Sequence, residues 1–338
     1  MWMLDNQTVY GAERNWIRDR DGAHRWLVAV RATFDIDPGG TLKLADEQKP
    51  PVHAPKYFGE PGRSSLKYDS DVLGVMTTTN VLAHGHAHAP RGRLATKVVV
   101  RLRVAGVDKT LMVHGERRYR KAKEAGGLGV TTPAPFDKRP IRYEWAFGGS
   151  DMEGSDTQKH RYDSRNPIGK GIASTVKRFE GQLAHCIEYP QGDPARVGPA
   201  GFGPIDSFWS PRLERAGTYD AAWERLRKPL LPLDYDERNS SCAPADQLPE
   251  KPLRGGERVE LTNMTPEGLL RFELPRLSFG FTTRVAGRRE VHGAILAAVI
   301  LEPEEKKLAM VWQTSLLVTQ EDADSLDLTT IQEKPFLS

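Results

Sequence analysis

Apolar residues recur at every second position in short runs along this chain, and the runs come in pairs divided by glycine, proline or acidic turns. At residues 26–34 the string WLVAVRATF is apolar almost throughout, breaks at Asp35, Asp37, Pro38, Gly39 and Gly40, and resumes as TLKL. This predicts a strand, a turn and a second strand. In KVVVRLRV, Val98, Val100, Leu102 and Val104 alternate with Val99, Arg101 and Arg103, and a partner run follows at 109–113 beyond Ala105, Gly106, Val107 and Asp108. A period of two marks a sheet with one wetter face. Residues 269–274, 277–285, 294–301 and 308–317 repeat the habit, separated by Pro275, Gly287 and the EPEEKK turn. The stretch 294–312 echoes 27–44, each being strand, acidic turn with proline, and strand. Two halves of a duplicated sandwich would look like this, and so would any two hairpins.

Between these β-rich ends the pattern changes. Residues 131–256 hold 14 of the 24 prolines and few alternating runs. A helix is expected over 219–228 (YDAAWERLRK), with Asp220 at the positive end, Arg225, Arg227 and Lys228 at the other, and Pro229 as the stop. A second is expected over 173–181. The frequency of Trp145, Phe147, Phe202, Phe208, Trp209, Tyr219, Trp223 and Tyr235 argues against a disordered linker. The expected architecture is mainly β and sandwich-like, built from residues 1–130 and 257–338 as one compact unit. Residues 131–256 then form a long Pro/Gly-rich irregular insertion carrying one or two short helices.

Composition sharpens this picture. Of 338 residues, 31 are glycine and 24 proline, a surplus that a helical bundle would not tolerate. The 48 basic and 45 acidic side chains leave a net charge of only +3, which removes any global argument for nucleic acid or anionic lipid as a partner. The longest apolar run, at 293–301, is far short of the roughly 20 residues of a membrane helix. MWMLDNQ lacks the charged start and apolar stretch of a secretory signal, and Cys186 with Cys242 makes no disulfide framework. The expected compartment is the cytoplasm.

Candidate chemistry is thin. His84, His86 and His88 could present imidazoles on one side of a strand, but Gly85 and Pro90 disturb it; surface histidines on a polar edge are expected, with no metal entered. His185 and Cys186 are neighbours, so on a strand they face opposite ways and make no dyad; Cys186 reads as a structural thiol. Asp69 with Asp71, and Asp234 with Asp236, read as solvated or turn-forming carboxylates. NPIGKG (166–171) only superficially resembles a phosphate loop and reads as a turn. Arg117, Arg118, Arg120, Lys121 and Lys123, between Glu116 and Glu124, read as a solvated hairpin end. No catalytic residue and no cofactor is assigned.

The central strings carry more: YEWAFGG (143–149), NPIGKG, PAGFGPIDSFWSPR (199–212), AGTYDAAWERLRKPLLPLDYD (216–236), APADQ (243–247) and LRGGERVEL (253–261). With KYDSDV (67–72), HGERRY (114–119), NMTPEGLLRFELPR (263–276) and LEPEEKKLAMVW (301–312), they run in order from about residue 20 to 315. This series resembles a family of domains of unknown function encoded in bacterial type VI secretion loci. Glu116–Arg117 stands where the family usually has Asp-Arg, and Ser70 where it often has Thr, both conservative departures. The resemblance implies an adaptor or chaperone that binds a toxic effector and helps load it onto the VgrG/PAAR spike, without enzymatic activity. An enzyme with scattered hydrolase residues and a toxin-blocking immunity protein are the competing readings.

An adaptor holds its client through aromatic or arginine anchors within a polar rim. Trp209, Arg212, Tyr219, Trp223 and Arg227 are the partner-binding candidates, with pins that hold the insertion on the sandwich as the opposing reading of the same residues. Exposed sheet edges offer strand addition as a second mode. The acidic residues Glu321, Asp322, Asp324 and Asp327 could steer basic segments or form a solvated tail.

Overall fold

The computed structural model describes residues 2–121, 128–153 and 155–336. Its largest sheet runs in the order Gly11–Arg18, His24–Ile36, Lys307–Val318, Ile295–Glu302 and Asn80–Ala83, with Leu42–Leu44 continuing the flank of His24–Ile36 that Gly11–Arg18 leaves free. The longest strand described, His24–Ile36, pairs antiparallel from His24 to Asp35 with Lys307–Val318, so the N- and C-terminal β-rich parts share one sheet. The two echoing hairpins are both in it.

Why WLVAVRATF is apolar on successive residues follows from where this sheet lies. Val28, Val30, Ala32 and Phe34 point into the main core, while Ala29 on the reverse face joins Leu82, Ile300, Val311, Val72 and Cys242 in a second cluster. A strand covered on both faces needs no polar side. Lys97–Val104 shows the opposite case: Val98, Val100, Leu102 and Val104 are buried, and Val99 is exposed. It sits in a five-stranded antiparallel sheet ordered Ile187–Glu188, Val107–His114, Lys97–Val104, Arg258–Thr262 and Leu269–Glu273. A four-stranded sheet, Met3–Asn6, Leu326–Lys334, Ser278–Val285 and Arg288–His292, adds Phe281, Val285, Leu326 and Ile331 to the same main core.

The proline-rich segment supplies the edge strand Ile187–Glu188 and sends Tyr143, Phe202, Ile205, Trp209 and Leu253 into the main core. Four short helices appear among the described residues, where one or two were expected: Val176–Phe179, Pro194–Val197, Arg212–Arg215 and Ala221–Leu226. The extra two are single turns started by local proline, too short to give a periodic signal. The last helix begins where expected, with the Asp220 carboxylate accepting from Trp223 N at 2.8 Å. The acidic C-terminal stretch is largely exposed, but it leads into a paired strand and is no tail. Asp322 lies 2.5 Å from Arg288 and Asp327 lies 3.8 Å from Arg284, leading into and within the strand Leu326–Lys334.

Candidate functional site

The strings that carry the resemblance meet one another on and beside the reverse face of the large sheet. From KYDSDV, the Tyr68 hydroxyl donates to Glu302 of LEPEEKK at 2.5 Å, and the Asp69 carboxylate lies 2.8 Å from Arg212 of SFWSPR. The buried Asp71 accepts from Val52 N at 2.6 Å and stands 3.6 Å from the buried Arg31 guanidinium. Burial raises the Asp71 carboxyl to about 6 despite the opposing pull of Arg31. Asp69 and Asp71 are therefore internal ion-pair partners and not solvated carboxylates, a fact their sequence neighbourhood does not reveal. Asp234 and Asp236 match the turn-forming expectation: one accepts from Thr218, the other from Arg238 N.

A second node went unseen in the sequence. Lys109, on Val107–His114, is buried with its ammonium 2.9 Å from Asp246 and 2.8 Å from the Gln247 side-chain oxygen, both in APADQ. The Gln247 amide in turn donates to Val81 O at 2.7 Å and Phe202 O at 2.9 Å. This staple ties the five-stranded sheet to the edge strand of the large one. Desolvation lowers the Lys109 ammonium to about 8, against the attraction of Asp246. The turn reading of NPIGKG holds: Asn166 is fully buried, and its amide donates to Tyr143 O and Phe147 O of YEWAFGG at 2.8 and 2.9 Å.

The five partner-binding candidates separate. Trp209 is buried, its ring edge-on to Tyr143 at 5.7 Å. Arg212 is buried and donates to Ile205 O and Asn239 O as well as facing Asp69. Both side chains are buried and held by contacts within the chain, the geometry of the pin reading. Trp223 is half-buried, donating from its indole to Leu230 O at 2.8 Å, and Arg227 donates to Leu231 O and Arg20 O. Tyr219 is exposed and stacks edge-on against Trp223 at 4.7 Å. Phe208, Leu213, Leu226 and Leu233 are exposed nearby in sequence. Hydrogen bonds from Thr218 to Asp234 and from Asp236 N to Arg215 O fold 213–236 on itself, so that Tyr219 and Leu233 follow and precede bonded neighbours. The result is a lobe whose roots are fixed and whose apolar side chains face water.

Residues 21–313 match the family described as uncharacterized protein conserved in bacteria (DUF2169). The chain belongs to that family. No curated protein and no solved structure is similar to it. For a DUF2169 chain, the contacts above give its strings a physical meaning: several of them are partners of one another.

The other candidates of this DUF2169 chain resolve as follows. His84 and His88 are buried, not on the surface, His84 lying between the strands Asn80–Ala83 and His86–His88; among the described residues no cluster of three or more ligands is placed to hold a metal. His88 Nε2 is 2.6 Å from Glu304, with His86 Nδ1 at 3.5 Å from the same carboxylate. Burial pushes His84 down to about 4. His185 and Cys186 precede the short strand Ile187–Glu188 and make separate contacts. The Cys186 thiol is buried near Ala184 O and Arg139, whereas His185 bridges the Tyr119 hydroxyl at 2.9 Å and Glu188 at 3.2 Å. His114 and Arg117 also hold Glu188, at 2.7 and 2.8 Å, and together they outweigh its desolvation and keep its carboxyl far below the usual range. Arg117 is thus buried and not part of a solvated hairpin end, while Arg120 and Lys121 are exposed; Lys123 and Glu124 lie outside the described residues. Among the described residues, no helix is long and apolar enough to cross a membrane.

Proposed function

We propose that this DUF2169 protein is a type VI secretion adaptor or chaperone, acting in the cytoplasm by binding and not by catalysis. It holds a toxic effector and helps load it onto the VgrG/PAAR spike. The observation that carries this reading is the lobe at 208–236, which exposes Phe208, Leu213, Tyr219, Leu226 and Leu233 while Trp209 and Arg212 anchor its root. Large apolar side chains on a firmly held surface element suit protein capture, because little ordering cost is left to meet on binding. The serial resemblance to type VI loci supports the identity of the client.

The test is affinity capture from the producing bacterium, comparing the native chain with Tyr219→Asp/Leu226→Asp/Leu233→Asp. The reading expects the effector encoded beside this protein, with or without the spike, to co-elute with the native chain and not with the folded variant. Capture of neither effector nor spike by the native chain would overturn it.

A further inference from the structure

A separate cleft of about 780 Å3 opens where the four-stranded sheet meets the start of Ile295–Glu302. That lies within the roughly 300–1,000 Å3 of ordinary binding pockets. Its apolar lining comes from Leu253, Phe279, Leu296, Trp312 and Phe336, with Phe279 and Trp312 edge to face at 5.1 Å. Lys251, Arg254 and Lys334 stand at its rim, all exposed. Among the described residues, none of the three has a carboxylate partner. The single lining acid near them, Glu257, is already occupied, accepting from the backbone amides of Arg254 and Gly255 at 2.7 and 2.8 Å.

Two features make this more than an apolar hollow. Pairing of Ser278–Val285 with Arg288–His292 ends at Phe281–His292, while pairing with Leu326–Lys334 continues to Ser278. On the flank that Arg288–His292 occupies further along, residues 278–280 therefore have no strand beside them, and Ser278 and Phe279 line the cleft. A Cβ at Gly280 would sit 2.0 Å from Lys334 Cε, so the glycine lets the lysine stem lie across the strand.

We propose that the cleft binds an extended peptide segment of another protein, in which apolar side chains are flanked by glutamate or aspartate. The backbone of 278–280 supplies the strand edge, the aromatic floor takes the apolar side chains, and Lys251, Arg254 and Lys334 pair with the flanking carboxylates. The rim charge decides the occupant. A second copy of this chain seated face to face would bring the same cations together, whereas an acidic segment neutralises them. The inference stands apart from the adaptor reading, since it concerns a different face and is tested without any effector.

The experiment uses fluorescence anisotropy on the full chain with three labelled short peptides: alternating Leu and Phe flanked by Glu, the same core flanked by Lys, and a Ser core flanked by Glu. The Glu-flanked apolar peptide is expected to bind, with affinity falling as salt rises, and the other two at least about tenfold more weakly. Lys251→Glu/Arg254→Glu/Lys334→Glu, changing only exposed side chains, is expected to invert the preference between the Glu- and Lys-flanked peptides. Phe336→Ala is expected to weaken the apolar peptide alone. Equal binding of the acidic and basic peptides, an unchanged preference in the charge-reversed variant, or no binding of the Glu-flanked apolar peptide at about 1 mM would overturn the proposal. Any of these can occur while effector capture through the lobe persists, so the two readings fail separately.

Discussion

The guanidinium of Arg212 lies 2.8 Å from the carboxylate of Asp69, joining the proline-rich segment to the loop that covers the reverse face of the large sheet. Both partners are largely shielded, and Arg212 also satisfies Ile205 O and Asn239 O. Arg212→Ala removes all three bonds and strands a carboxylate, at a cost of about 3–5 kcal/mol. Chemical denaturation should show this as a lower midpoint. Arg212→Lys should recover only part of it, because an ammonium cannot reproduce the guanidinium fork.

The two tryptophans of the segment differ in kind. Trp209→Ala empties a buried site against Tyr143 and should cost about 3–5 kcal/mol. Trp223→Ala at a half-buried position should cost about 1 kcal/mol and leave the rest of the fold intact. Thermal melts of the two variants side by side give the comparison; equal losses would contradict the burial difference.

Acid should act through His84 and His292. Burial lowers both imidazoles from 6.5 to about 4, His292 being held between Thr283 and Thr314 hydroxyls. Below pH 6.5 the unfolded chain binds the protons that the folded chain refuses, so this stability is complete above about 6.5 and is lost as pH falls toward 4. Asp71, raised to about 6, has the opposite sign: its stabilising protonation is present at low pH and is lost as pH rises through 6. The clean measurement is therefore a difference. His84→Phe, beside Phe58 and Tyr68, should flatten the loss between pH 6.5 and 4 by on the order of 2–3 kcal/mol relative to the native chain.

Gln247 tests the staple between the sheets. Gln247→Ala removes the side-chain donor to Val81 O and Phe202 O, the latter keeping Ala83 N at 3.1 Å, and leaves Lys109 with one acceptor fewer; it should cost about 2–3 kcal/mol. Hydrogen exchange should show the edge strand Asn80–Ala83 losing protection before the strand His24–Ile36.

Much of the sheet framework is legible in the sequence. Alternation at 97–104 and the two-sided apolar run at 26–34 report burial directly, because each side chain's face follows from its parity along the strand. Gly11–Arg18 escapes that logic: it is an edge strand, GAERNWIR is half-buried on both sides, and its polar residues hide the period. The candidate site was less readable. An arginine destined for a buried pair looks like any other until its carboxylate is known, and Asp69 and Asp246 lie far along the chain from Arg212 and Lys109. The lobe was found through its aromatics, but which of them face water depends on tertiary closure alone.

The antiparallel union of His24–Ile36 with Lys307–Val318 also sets the order of events during synthesis. The first of these strands leaves the ribosome some 270 residues ahead of its partner. Until then one flank of a strand apolar on both faces lacks its neighbour, and non-local pairing of this kind closes slowly. A protein built this way would itself depend on shelter while it is being made.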